Sequence, residues 1–226
     1  MNLEIKKYND KDDWVNAISE SIETNIKQLC LVYDEVNMLL SGGSTPGPVY
    51  RKLDKEIPSF MQLRIGLVDE RFVPVNDDQS NEKLLKNCFN TRSAKEYTIV
   101  GMVKDETNEQ TNLEEVGHAY SPFFDRTDVV ILGMGGDGHT ASIFPFDPES
   151  EIVKKNGVKG VFSTKAPEAP KKRITCSMHL ICSAQYIYLL ISGAEKLKVL
   201  KDYEFQYPIH NVLERRPDVK IYYLEK

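Results

Sequence analysis

Four short apolar runs, each closed by small or charged residues, constrain this chain more than any other feature. They are Val36 to Leu40 before Ser41-Gly42-Gly43, Leu63 to Val68 before Asp69, Asp128 to Leu132 before Gly133, and Tyr186 to Ile191 before Ser192-Gly193. Runs this short, bounded by turn residues, read as strands buried on both faces. Segments with helical spacing lie between them. Trp14, Ile18, Ile22, Ile26 and Leu29 recur on one helical face, with Asp12 or Asp13 as the expected cap. Pro46 to Leu53 reads as a short helix, Ser80 caps a helix carrying Leu84, Leu85 and Phe89, and Leu113 to Phe124 reads as a broken helix. Helices are also expected around Glu195 to Leu200 and Ile209 to Glu214. Further strands are expected around Leu3 and Ile5, over Tyr97 to Val100, over Arg173 to Cys176 and over Val219 to Leu224. The Gly-, Pro- and Lys-rich stretch from Lys154 to Lys172 reads as a surface excursion. The alternation predicts an α/β fold: a single domain over residues 1–226, with a mainly parallel sheet flanked by helices on both faces.

Composition narrows the function. The 226 residues carry 29 Lys plus Arg against 34 Asp plus Glu, a formal charge of −5. No overall positive field gathers nucleic acid, so an anionic ligand must be caught by a local site. No run approaches the roughly 20 apolar residues that span a bilayer, and the charged N-terminus has no apolar signal core. Cys30, Cys88, Cys176 and Cys182 form no C-x-x-C pair and no metal spacing with the histidines. Cys176 and Cys182 read as small core residues. A reducing, cytosolic setting is expected. The tyrosines Tyr203, Tyr207, Tyr222 and Tyr223 read as core and sheet packing.

In open α/β sheets ligands bind beyond the carboxyl ends of the strands, and polar residues collect at three such ends. In Ser41-Gly42-Gly43-Ser44-Thr45-Pro46 the paired glycines bring backbone amides close to a ligand, Ser44 or Thr45 is a fitting N-cap, and Pro46 fits the first helical position. Free amides at a helix start suit a phosphate, although a capped strand-to-helix turn accounts for the same residues. No Gly-Lys-Ser/Thr follows, so this is not a P-loop. Asp69-Glu70-Arg71 puts consecutive charges at the end of an apolar strand. These are either an exposed loop or a working cluster, with Arg71 facing an anion and Asp69 orienting a partner. Gly133, Gly135 and Gly138 fit G-x-G-x-x-G, but Pro145 and Pro148 interrupt the long helix a dinucleotide turn requires. His139, behind those glycines, has the side chain best suited to take a proton from water at neutral pH. A lone loop histidine is more often merely solvated.

Jointly, Ser41–Pro46, Asp69–Pro74 with Ser80-Asn81, and Gly133–Pro145 (GMGGDGHTASIFP) resemble the 6-phosphogluconolactonases, in the same order along the chain. Weaker agreement continues through Arg173-Ile174-Thr175 and Ser192–Lys196. The same motif plan belongs to glucosamine-6-phosphate deaminases and isomerases. Those typically continue after the histidine with an acidic residue, where this chain has Thr140-Ala141-Ser142-Ile143-Phe144-Pro145. The resemblance implies hydrolysis of a phosphorylated sugar lactone, with an amino-sugar phosphate deaminase or isomerase as the alternative. A non-catalytic sugar-phosphate sensor is a third reading. By the same resemblance His139 is the general base, Arg71 lies beside base and substrate, and Asp69 lies in the same cleft. Gly43, Ser44 and Thr45 bind the phosphate, with Arg173 and Lys196 as basic neighbours. Pro46-Gly47-Pro48 departs from the usual helix start of the family. A lactone carbonyl is already electrophilic, so no metal or organic cofactor is expected.

Overall fold

The apolar runs do form the centre of the protein. Val36, Met38, Leu39 and Leu40, Val129 to Leu132, and Ile187 to Ile191 are all almost wholly removed from solvent. The computed structural model describes residues 3–58, 61–90 and 97–225. The elements run β1 (Ile5–Tyr8), α1 (Lys11–Leu29), β2 (Glu35–Leu40), α2 (Gly47–Glu56), β3 (Gln62–Leu67), β4 (Asp69–Arg71), α3 (Asn81–Cys88) and β5 (Tyr97–Val100). They continue α4 (Glu109–Ala119), α5 (Ser121–Asp125), β6 (Val129–Leu132), α6 (Pro148–Val153), β7 (Val161–Lys165) and β8 (Lys172–Cys176). The chain ends α7 (Met178–Cys182), β9 (Tyr186–Ser192), α8 (Ala194–Lys201), α9 (Pro208–Arg215) and β10 (Lys220–Leu224).

Seven strands form one sheet in the order β1-β10-β9-β6-β2-β3-β5, and every neighbouring pair in it is parallel. After β2 the chain builds outward through β3 and β5, then returns to place β6 on the other side of β2. The strand order therefore reverses between β2 and β6, where the crevice of an open α/β sheet opens. Helix α1 lies against α2 and β10. Its Ile18, Ile22 and Ile26 are 0% exposed, and burial of each contributes roughly 1.5–3 kcal/mol. The mainly parallel, helix-flanked α/β architecture is the one the alternation predicts. No helix among the described residues is long and apolar enough to cross a membrane.

Several local expectations are corrected. The cap of α1 is Asp10, whose carboxylate accepts from the N–H groups of Asp12 and Asp13. The two later aspartates occupy the first turn instead. Leu3 precedes β1 rather than joining it. Helix α2 begins at Gly47 with no side-chain cap. Pro46, expected as the first helical residue, occupies the cap position instead, and its ring has no oxygen to accept from the first-turn N–H groups. The stretch from Lys154 to Lys172 contains β7. This strand pairs antiparallel with β8, which pairs antiparallel with β4, forming a second sheet in the order β4-β8-β7. Asp69-Glu70-Arg71 is therefore the edge strand of a small sheet rather than a loop, and Arg173–Cys176 lies outside the main sheet. Ser80 caps α3 as expected, accepting from the Lys83 N–H. Tyr222 and Tyr223 are core residues, whereas Tyr203 is 43% exposed. Cys176 is fully buried; Cys182 is partly so, and burial pushes its thiol up to about 11.

Candidate active site

Beyond the carboxyl ends of β2 and β6 lies a cavity of about 290 Å³. It is lined by the turn Ser41–Pro46, by Asp69, Arg71 and Asn81, by Gly133, Met134, Gly135, His139 and Ala141, and by Leu190 and Lys196. The three separate strand ends singled out in the sequence thus converge on one space. Of the expected site residues, Gly43, Ser44, Thr45, Asp69, Arg71, His139 and Lys196 all line it. Arg173 does not.

The turn after β2 is anchored from below, because the Tyr50 hydroxyl on α2 donates to the Ser41 carbonyl at 2.8 Å. Gly43 has φ +91, a conformation a side chain would resist. The backbone N–H groups of Gly43, Ser44 and Thr45 donate to no protein acceptor among the described residues. They belong to the turn that leads into α2, and all three residues line the cavity; unpaired amides of this kind are suited to binding an anion. Lys196, in the first turn of α8, has no ion-pair partner among the described residues. Burial alone pushes its ammonium below its ordinary value.

The charges after β3 are each accounted for. Glu70, 1% exposed, accepts from the N–H groups of Arg71, Asn81 and Glu82 at 2.8 Å each and from Ser80 Oγ at 3.1 Å. Desolvation raises its pKa, and those backbone donors oppose the rise. This carboxylate fastens the start of α3 to β4. Asp69 accepts from Ser142 Oγ at 2.6 Å, and its carbonyl accepts from Asn81 Nδ2 at 2.9 Å. Arg71 donates from Nη1 to the Gln79 carbonyl at 2.6 Å and to Asn81 Oδ1 at 3.0 Å. Arg173 lies directly across the strand pair from Arg71, half-buried, with no hydrogen-bond partner for its Nε among the described residues. Burial, and after it the neighbouring Arg71 charge, push its guanidinium down, while Asp69 and Glu70 oppose. It adds positive charge behind Arg71 without reaching the cavity wall.

His139 sits in a tight turn. The Gly135 N–H donates to the His139 carbonyl at 2.9 Å and the Gly138 N–H to the Gly135 carbonyl at 3.1 Å. Asp137 Oδ1 lies 2.5 Å from His139 Nδ1 and also accepts the His139 backbone N–H at 3.2 Å. Burial opposes ionisation of Asp137, but the hydrogen bonds and charge of His139 outweigh it and hold the carboxyl below its ordinary value. An ionised carboxylate can only accept, so Nδ1 carries the proton of this bond, and in the neutral imidazole the lone pair is then on Nε2. A Cβ at Gly135 would lie 2.2 Å from His139 Cε1 and 2.5 Å from Asp137 Oδ1. Glycine there is what admits the pair. Phe144 backs the imidazole, with ring centroids 4.7 Å apart. Ala141 follows at φ +50, turning the chain so that Ser142 reaches Asp69.

Asp137, Asn81, Glu70 and Ser142 were given no role by sequence reasoning. Asp137 carried a usable signal, being a carboxylate two residues from the histidine within one glycine-rich turn. Glu70 and Asn81 meet each other only once the loop between β4 and α3 has folded back, and Ser142 meets Asp69 only across the fold. Among the described residues no cluster of three or more His, Cys, Asp or Glu is placed to hold a metal ion.

Residues 9–220 match the family model of glucosamine-6-phosphate isomerases/6-phosphogluconolactonase. A 6-phosphogluconolactonase of Thermotoga maritima is 31% identical over 85% of this chain and 87% of its own length. Another from Rhizobium meliloti is 31% identical over 88% of each chain. Among solved structures, a 6-phosphogluconolactonase from Shewanella baltica superposes with a TM-score of 0.88 at 28% identity, covering 100% of this chain and 98% of its own. The T. maritima structure gives 0.80 at 28% identity, covering 99% and 100%. The chain belongs to the glucosamine-6-phosphate isomerase/6-phosphogluconolactonase family.

Proposed function

We propose that this chain hydrolyses 6-phospho-D-glucono-1,5-lactone to 6-phosphogluconate, as a cytosolic enzyme of the pentose phosphate pathway, with His139 as the general base. The observation that carries the reading is the cavity lined jointly by Gly43, Ser44 and Thr45, whose amides have no protein acceptor among the described residues, by Lys196 and by His139, which Asp137 holds from outside the lining. The phosphate docks on the N–H groups of Gly43, Ser44 and Thr45 with Lys196 as counter-charge, and this remote grip orients the ring. Water attacks C1 as its proton passes to His139 Nε2, while Asp137 holds the other nitrogen protonated. The carbonyl oxygen takes up negative charge, which Arg71 stabilises. Collapse of the tetrahedral intermediate breaks the bond from C1 to the ring oxygen, and the imidazolium returns its proton to that leaving oxygen. Asp69 keeps the His139 loop in register through Ser142.

The alternative, deamination of an amino-sugar phosphate, calls for an acid just after the histidine. The first one here is Asp147, and its carboxylate is taken up in capping α6 through Ser150 N at 2.9 Å and Ser150 Oγ at 2.6 Å. The lactonase reading is tested with fresh lactone in a pH-stat, corrected for spontaneous opening. His139→Ala should lose about 10²–10⁴ in kcat with its melting temperature unchanged. Retained turnover removes His139 as the base, and ammonia release from glucosamine 6-phosphate would favour the alternative.

A further inference from the structure

We propose that Tyr207 is a positioning residue for the His139 imidazole, acting through the peptide that joins Gly138 to His139. The inference rests on His139 being the general base. Both ends of that peptide are fixed. Its carbonyl accepts from the Ile209 N–H at 3.2 Å, in the first turn of α9, and its N–H donates to Asp137 Oδ1 at 3.2 Å. The tilt of this plane sets the direction in which His139 leaves the backbone, and with it where Nε2 meets water.

Gly138, at φ +75, is the weak point of the turn, because glycine tolerates several alternative conformations. The Tyr207 ring closes them off. A Cβ placed on Gly138 would lie 2.5 Å from Tyr207 Cβ, Cγ and Cδ1, so the tyrosine is seated directly on the glycine Cα. The ring is itself braced. Phe205 lies 4.7 Å from it and His210 lies 5.5 Å from it, centroid to centroid. His210 is buried, with Nε2 donating to the Leu200 carbonyl at 3.1 Å. Phe205 also meets Phe146 at 5.3 Å, so the segment 205–209 touches the histidine loop on both sides of His139. Phe146 is held at φ +63 although 82% exposed; its own burial does not explain that conformation, and the contact with Phe205 gives it a partner. The Tyr207 hydroxyl has no hydrogen-bond partner among the described residues. The ring, not the hydroxyl, does the bracing.

The test compares Tyr207→Ala, Tyr207→Leu and Tyr207→Phe with the wild type in lactone turnover, thermal melting and imidazole ¹⁵N NMR of histidine-labelled protein. The His139 signals are assigned by their loss in His139→Gln. Displacing a catalytic group by about 1 Å costs about 10²-fold, so Tyr207→Ala should lower kcat roughly ten- to hundred-fold with KM within about two-fold. Tyr207→Leu should fall between, and Tyr207→Phe should keep the wild-type kcat. The His139 nitrogens should report the Nδ1–H tautomer in wild type and Tyr207→Phe, and a mixture of tautomers in Tyr207→Ala. Wild-type kcat with unchanged ¹⁵N shifts in Tyr207→Ala overturns the proposal. So does a loss that only follows the melted fraction, or a Tyr207→Phe variant as impaired as Tyr207→Ala. If the wild type fails to open the lactone, the functional reading falls instead, and the tautomer signature alone decides whether Tyr207 braces the imidazole.

Discussion

Replacing Asp137 by asparagine should be markedly milder than replacing it by alanine, and the reason lies in one oxygen. Asp137 Oδ1 accepts both the His139 ring Nδ1–H at 2.5 Å and the His139 backbone N–H at 3.2 Å. In Asp137→Asn the backbone N–H still demands an acceptor at that spot, so the amide oxygen should stay there and the imidazole should keep its tautomer. Only the charge is lost. A hydrogen bond to a charged acceptor contributes about 1.5–3 kcal/mol and a neutral one about 0.5–1.5 kcal/mol. The two side chains are 33% and 40% exposed, so solvent screening places the difference near the low end, at about 1 kcal/mol. That corresponds to roughly a five-fold loss in kcat. Asp137→Ala removes the whole bond, about 2 kcal/mol on the same discounted scale, or roughly thirty-fold. Both should melt within a few degrees of wild type. The assay is initial-rate proton release from fresh lactone at saturating substrate. A fall in Asp137→Asn equal to or deeper than that in Asp137→Ala would mean that the amide turns its NH₂ toward the ring and enforces the wrong tautomer. That result refutes the single-oxygen argument.

Two further outcomes follow from the surroundings of the cavity. Burial depresses the Lys196 ammonium from its ordinary 10.5, so its charge is lost at a lower pH than that of a free lysine. Affinity for 6-phosphogluconate, measured calorimetrically, should begin to weaken in the wild type at a lower pH than the titration of a free lysine would give. It should stay flatter in Lys196→Arg, whose guanidinium remains charged; identical profiles would remove Lys196 from the anion site. Glu70→Gln sets an NH₂ group among donors that need an acceptor, and should destabilise the fold by about 1–3 kcal/mol, or roughly 5 °C in melting temperature. An unchanged melting temperature would show that the carboxylate does not fasten α3 to β4.

The main sheet was legible because its central strands are short, mostly apolar and sharply ended by glycine, serine or acid. Both-face burial leaves that signature whatever the tertiary context. The small sheet was not legible. Its β4 is Asp69-Glu70-Arg71, which offers no apolar alternation, and its β7 lies in a stretch whose Gly, Pro and Lys content suggests a loop. Only partners brought up by folding make such residues buriable: Ser142 for Asp69, and the start of α3 for Glu70. The missing cap on α2 follows from Pro46 holding the cap position, where Ser44 or Thr45 was expected. Arg173 was expected as a basic neighbour of the phosphate; antiparallel register places it across from Arg71, one residue removed from the cavity lining. Tyr207 was read as packing, and it does pack, though against the one glycine that precedes the histidine.

The closeness of Asp137 and His139 in the chain has a mechanical consequence. Groups drawn from different strands shift relative to each other whenever the sheet breathes or a helix tilts. A base and its orienting carboxylate inside one hydrogen-bonded turn, with Tyr207 seated on the glycine between them, travel together as a unit. The pair is therefore organised before any ligand arrives. Whatever adjustment binding requires falls on the separate arms that carry Arg71 and Lys196.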